Sequence, residues 1–230
     1  GINAHNTTLD YINAGFRLCP GLGFSFGFIP FSSIGYNFSE SKYLDDHFNS
    51  GSTMTYTNSY TGDGGLHEVY VGLGWNPFAD LSIGANFGYV WGNYAQNITQ
   101  TFYENATATS ASNGLRRQID ADLSSYKIDI GIQYPIQLGK NDVLTPGITY
   151  GIGHAINSPA HYYSYVANGD TTKSVIEKAF ELPTSFGVGL AWAHKEQWKI
   201  GLDVTHQRWG ECRVPQIIND KFVSTTENYK

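Results

Sequence analysis

The sequence predicts an all-β chain, a transmembrane antiparallel β-barrel, and three observations predict it. Segments alternate strictly between bulky apolar residues and Gly, Ser or Asn. Charged residues stay off the apolar rows. The connections between segments alternate short and long. Leu81 to Asn93, LSIGANFGYVWGN, shows the first most fully. Leu81, Ile83, Ala85, Phe87, Tyr89 and Trp91 share one face, and Ser82, Gly84, Asn86, Gly88, Val90 and Gly92 the other. A soluble sandwich puts its bulk inside and charge outside; bulk opposite glycine suits lipid outside and a narrow or wet lumen inside.

In chain order, Tyr11 to Leu18 sets Ile12, Ala14, Phe16 and Leu18 against Asn13, Gly15 and Arg17. The turn Cys19-Pro20-Gly21 leads into Leu22 to Phe38, where Leu22, Phe24, Phe26 and Phe28 oppose Gly23, Ser25 and Gly27. Alternation breaks at Ile29-Pro30-Phe31 and resumes with Ile34, Tyr36 and Phe38. Proline cannot donate to a ladder, so it marks a kink, bulge or unpaired edge. Ser39 to Gly65 reads as a long polar connection. Leu66 to Trp75 is a strand, and a short turn at Asn76 to Asp80 joins it to Leu81 to Asn93.

Gln96 to Arg117 is a second long polar connection. Tyr126 to Tyr134 and Leu144 to Gly153 are strands around the turn Gly139-Lys140-Asn141-Asp142. His154 to Pro183 is a third long connection, whose Ser174 to Glu181 portion reads equally as a short helix or a continuing strand. Phe186 to Ala193 and Trp198 to Thr205 form the last pair around Lys195-Glu196-Gln197, and Arg208 to Lys230 reads as polar and irregular. That makes about eight strands, joined as outer-membrane barrels join theirs, with short periplasmic turns and long extracellular loops.

Composition narrows the function. Of 230 residues only 15% are charged, the net charge is -6, and no Lys/Arg run exists, which argues against a nucleic-acid partner. No run of about 18 apolar residues is present, so a spanning helix is excluded while a barrel is not. Trp75, Trp91, Trp192, Trp198, Tyr134 and Tyr150 fall toward strand ends, as interfacial girdles require. Cys19 and Cys212 are too few for a disulfide framework, and nothing in the sequence brings them together. The chain lacks an initiator Met, and its strand count would leave both termini on the long-loop side. It is therefore expected to be one barrel domain, 1–230, incomplete at both ends.

Three runs are more specific than periodicity: LDYINAGFRLCPGLGFSFGFIPFSSIGYNFSES, GDGGLHEVYVGLGWNPFADLSIGANFGYVWGN and ELPTSFGVGLAWAHKEQWKIGLDVTHQRWGE. They resemble the FadL-type long-chain fatty acid and hydrocarbon transporters, particularly the branch of Bacteroidetes-type bacteria. The resemblance implies a fourteen-stranded outer-membrane barrel with a hatch in its lumen and a kinked strand that opens the wall sideways. Hydrophobic substrate would enter from outside and leave laterally into the membrane. Pro30 falls where the kinked strand would lie, so Pro30, Phe31, Ser32 and Ser33 are the candidate gate.

Other candidates are weaker. Tyr43, Leu44, Phe48, Tyr56, Tyr60, Phe102, Tyr103, Tyr162, Tyr163 and Tyr165 would make a greasy capture site if clustered, and ordinary loop tyrosines if not. His154, His161, His194 and His206 lack ligand spacing, and Asp45/Asp46 and Asp120/Asp122 read as solvated charge, so no metal is expected. Lys127, Asp129, Lys199 and Asp203 are expected to pair across strands inside the barrel. No cofactor and no catalytic group is expected. The expected partners are outer-membrane lipid and a hydrophobic ligand. The leading expectation is passive uptake of hydrophobic small molecules across the outer membrane. The alternatives are a scaffold barrel that docks a protein, a barrel-borne hydrolase using His206, for which no matching serine stands out, and a non-membrane β-sandwich.

Overall fold

The computed structural model describes residues 11–43, 54–78, 80–104, 107–108, 114–166, 169, 171–195, 197–218 and 221–226. The chain opens with β1 (Ile12–Cys19), β2 (Leu22–Tyr43), β3 (Met54–Phe78) and β4 (Leu81–Glu104). A two-residue β5 (Thr107–Ala108) pairs with the end of β4 and precedes β6 (Leu115–Gln133). Next come β7 (Ile136–Leu138), which pairs with the start of β8 (Asp142–Gly151), and β9 (His154–Ala155). An antiparallel hairpin of β10 (Ala160–Val166) and β11 (Thr171–Ile176) follows, then β12 (Glu181–Leu182), which pairs with β9. β13 (Ser185–His194) and β14 (Trp198–Gln207) close the main sheet. One turn of 3-10 helix, Trp209–Glu211, leads to a hairpin of β15 (Arg213–Ile218) and β16 (Lys221–Thr226).

The main sheet runs β1-β2-β3-β4-β6-β8-β13-β14, antiparallel throughout, and its strands are those the alternation marked. Register aligns like with like. Phe26, Val71, Phe87 and Ile128 form one cross-strand row. Ser25, Gly72, Asn86, Asp129, Gly151, Ser185 and Gln207 form the row beside it, on the opposite face. The first kind of row lies on the convex side and is exposed: Leu73 by 54%, Phe87 by 53%, Leu202 by 71%. An apolar band of this extent would aggregate in water and is at home in hydrocarbon.

The sheet curls into a half-barrel. Phe31 of β2 and Gln207 of β14 line one small cavity together with Lys127, Gly151 and Leu182. Two aromatic belts bound the apolar band. Phe28, His67 and Trp91 pack at 5.6–6.1 Å between ring centres on the long-connection side, with Tyr89 on Trp91 at 5.7 Å. Trp75, Tyr134 and Trp198 stand exposed near the short turns.

Three sequence expectations are corrected. Most of Ser39 to Gly65 and of Gln96 to Arg117 is strand, since β2, β3, β4 and β6 run on past the membrane zone. β3 has 25 residues, about 80 Å of extended chain, where a spanning strand needs about 9–11 residues. The polar runs hold their ladders because Thr and Tyr suit a pleated surface even in water. Ser174 to Glu181 is strand to Ile176, then a turn, then β12, with no helix. Within the stretch Arg208 to Lys230, expected to be irregular, residues 208–218 and 221–226 form the 3-10 turn and the paired strands β15 and β16.

Candidate functional site

Pro30 to Ser33 form a β-bulge. Pro30 opposes His67 and Ser32 opposes Leu66, so Phe31 is the extra residue. An extra residue reverses which face the following side chains take. Before the bulge, Phe24, Phe26 and Phe28 pair with Leu73, Val71 and Val69 of the lipid-facing row. After it, Ile34, Tyr36 and Phe38 pair with Gly64, Gly62 and Tyr60, in the row of Leu66 that faces the lumen. Phe31 packs into the lumen, while Pro30, Ser32 and Ser33 are exposed. Among the described residues the ladder between β1 and β2 runs from Cys19 and Leu22 to Ile12 and Phe28. The predicted gate residues are thus contiguous, but only Phe31 reaches the interior.

Above the bulge the connections fold back over the concave face as a cap. Its buried residues are Ala121, Leu123, Ile156, Ala160, Ala179 and Leu182, with Phe31, Leu66, Tyr94 and Phe222 packed against them. β6 supplies Ala121 and Leu123 on the same face as Lys127 and Asp129 lower down. Phe222 of β16 stacks on Tyr162 of β10 at 5.1 Å, and Ser224 donates to the Ala179 carbonyl at 2.9 Å. Glu181 of β12 clamps the hairpin. Its Oε2 accepts from the Arg213 backbone N–H at 2.9 Å, and its Oε1 accepts from Nε at 2.7 Å and Nη2 at 2.6 Å. Burial alone would raise the Glu181 carboxyl, but the Arg213 N–H and guanidinium outweigh it and hold the group below its ordinary value of 4.5. Cys212 beside them is buried, and burial with Glu181 and Glu211 pushes its thiol up.

Beneath the cap, Lys127 contacts both Asp129 and Glu68, the latter at 3.7 Å. The Glu68 side chain is 4% exposed, and its Oε2 is buried without a hydrogen-bond partner. The cavity that Lys127 and Asp129 share with Phe31 and Leu182 of the cap is small, about 20 Å³. Toward the short turns lies a trough of about 530 Å³, where Ser82, Asn86, Asp129, Gln133, Thr149, Asp203 and Thr205 stand among glycines and the apolar Ile83, Ile130, Ile132, Ile148 and Val188. Lys127 and Asp129 meet along β6 rather than across strands, and the contact of Lys127 on another strand is Glu68 of β3. Lys199 and Asp203 stand opposite Ala193 and Gly189 on β13 instead of bridging strands to them.

The aromatic candidates do not form one site. Tyr162 is buried under Phe222, Tyr56 packs on Phe102 at 6.2 Å, and Phe38 stacks on Tyr60 at 4.9 Å higher up. Leu44, Phe48, Asp45 and Asp46 lie outside the described residues. Among the described residues no three His, Cys, Asp or Glu converge as metal ligands. His154 stacks on Tyr126 at 4.1 Å and meets Ser125 Oγ at 2.9 Å, His194 pairs with Asp142 at 2.8 Å, and exposed His206 opposes Phe186. Sequence reasoning missed the Glu181–Arg213 clamp and the β15–β16 hairpin. A signal for the hairpin exists in the sequence: Asn and Asp, types that favour turns, stand at 219 and 220 between two short β-prone runs.

A family model, BamG, matches residues 2–229, nearly the whole chain. The chain belongs to the BamG family. With the lipid-facing band and the curled sheet, this makes the BamG-family chain an outer-membrane β-barrel protein of a bacterium. The expected outer-membrane β-barrel stands; the FadL-type assignment, with its fourteen strands and transport role, is no part of the family match. Among solved structures, the BamG-family chain is similar to the crystal structure of Acinetobacter baumannii CarO. Identity is 15%, coverage 71% of this chain and 78% of that chain, and the TM-score 0.24. No curated protein matches it.

Proposed function

We propose that this BamG-family chain is a scaffold barrel that holds a protein partner at the outer membrane. The observation that supports this is the cap packed over the concave face, where Phe31, Leu66, Leu123, Leu182 and Phe222 belong to one apolar cluster. Four strands meanwhile carry a paired sheet far beyond the bilayer, a rigid surface suited to docking. No catalytic step enters this reading. The test uses the full-length protein. In planar bilayers it should show no open-pore conductance, and one protein should co-purify with it in fixed ratio after detergent extraction. Steady conductance with no co-purifying protein would sink the idea.

A second reading, passive uptake of long-chain fatty acid-like molecules with lateral exit at the kinked strand, is favoured by the bulge. Pro30 offers no N–H, and β2 is bulged at Phe31 beside it. Unpaired backbone at membrane depth is tolerated where it lines a cavity. Liposomes holding the full-length protein should then take up labelled fatty acid, and Pro30→Ala should slow uptake. Equal rates with and without the protein would end this reading.

A further inference from the structure

The convex face changes character above the aromatic belt of Phe28, His67 and Trp91. Below that belt it is the apolar band that meets lipid. Above it, the register carries the same face onto hydroxyls and amides. One row crosses six strands as Asn37, Thr61, Asn97, Gln118, Tyr163 and Lys173. The next row outward is Ser39, Ser59, Thr99, Arg116, Tyr165 and Thr171. Neither row holds an aliphatic side chain, whereas the concave face of the same strands holds Phe38, Tyr60, Ile98, Ile119 and Tyr162. The polar groups are tied together. Ser39 Oγ and Ser59 Oγ share a hydrogen bond of 3.1 Å, and Arg116 Nη2 donates to Asn97 Oδ1 at 3.4 Å and to Gln118 Oε1 at 3.3 Å. Tyr163 and Tyr165 lie with ring centres 6.3 Å apart and planes 14° from parallel. Lys173 Nζ stands 5.8 Å from the Tyr163 ring centre, and exposed Arg116 is the cross-strand neighbour of Tyr165.

We infer that this upper convex face binds the sugar head groups of lipopolysaccharide, the glycolipid of the outer leaflet, with Tyr163 and Tyr165 as the stacking platform. The face continues the lipid-facing band. The ladders of β4 to β3 and to β6 run without a shift from Phe87 to Thr99, so what stands above the hydrocarbon at the barrel wall stands against these rows. Height selects the occupant. Asn97 and Thr99 lie six and eight residues beyond Trp91, about 20–27 Å along the strand and, at a tilt of about 35–45°, about 14–22 Å above the belt. A phospholipid head group adds only about 5–8 Å to its leaflet. An oligosaccharide several sugars long reaches both rows. The chemistry agrees. Sugar hydroxyls exchange hydrogen bonds with the amides of Asn97 and Gln118 and the hydroxyl of Thr99. The C–H face of a sugar packs on a tyrosine ring, whose face is negative. Arg116 keeps guanidinium donors beyond its two bonds among the described residues, and these, with the Lys173 ammonium, suit phosphate or carboxylate groups carried on the sugars.

The test uses full-length protein in detergent, with two probes: a core-bearing lipopolysaccharide, and lipid A, its counterpart stripped of core sugars. The wild type should bind the core-bearing glycolipid at least tenfold more tightly than lipid A. Tyr163→Ala combined with Tyr165→Ala, at an unchanged heat-modifiability shift, should bind the two alike. Equal affinities in the wild type, or a preference that survives the double substitution, would overturn the glycolipid site. A second measurement leaves both rings in place. In cells, a photocrosslinker at Thr99 should capture the glycolipid, and one at Gln100, the next residue and on the concave face, should not. Capture of glycolipid at Gln100 as well, of a protein alone at Thr99, or of nothing at Thr99 would equally overturn it. Whether a protein co-purifies decides the docking reading separately.

Discussion

Phe31 and Gln207 face one cavity although five strands lie between β2 and β14 in the sheet. Only a strongly curled sheet brings them together, and Phe31 gets there because it is the extra residue of a bulge. Removing its ring should open the floor of the cap. Phe31→Ala should lower unfolding stability by about 1–3 kcal/mol, below the value for a fully buried ring since Phe31 is only partly buried. Denaturant titration in detergent reads this, and an unchanged midpoint would refute it.

Gly64 and Gly92 take positive φ, 142° and 158°, on neighbouring strands near the bulge. A Cβ at Gly92 would collide with the Gly65 carbonyl of β3. Gly92→Ala should therefore cost about 1–3 kcal/mol. Gly84→Ala on the same strand should be mild, because its added carbon would meet only the Leu73 carbonyl at 3.5 Å. Equal effects in heat-modifiability gels would show that no strain sits at Gly92.

The Glu181–Arg213 clamp predicts a pH dependence. The folded carboxyl titrates below its ordinary 4.5, so the clamp's stabilisation is fully present above about 4.5 and is lost as pH falls through the lower folded value. Protease sensitivity within Arg213 to Thr226 should rise only below that window. Glu181→Gln should raise it at neutral pH and flatten the pH profile, costing about 1–2 kcal/mol with Arg213 half exposed. Cap cleavage independent of pH in the wild type would count against the clamp.

The convex band predicts an asymmetry between faces. Leu202→Arg puts a charge in hydrocarbon and should cost about 2–4 kcal/mol near the midplane. Thr205→Lys, on the trough side of the same strand, should fold nearly as well. Folding yields into vesicles distinguish the two, and equal yields would mean the bulky rows do not meet lipid.

Much of this was legible beforehand. The eight strands, their short turns and the lipid face follow from residues such as Leu81 to Trp91, because a period of two assigns each side chain to a face. The outer strands were not, since runs such as Tyr56 to Thr61 carry no apolar row and read as loop until a neighbour pairs with them. Pro30 marked an irregularity correctly. That Phe31, rather than Pro30, turns inward depends on the register to β3.

By itself the sequence determined what each strand shows to lipid and to lumen, because alternation is local and the bilayer tolerates one kind of face. The tertiary structure alone decided that a cap packs over the concave face. Glu181 meets Arg213, and Phe222 meets Tyr162, across long stretches of chain. No local pattern encodes such contacts; they exist only once the sheet has curled and the connections have folded back into it.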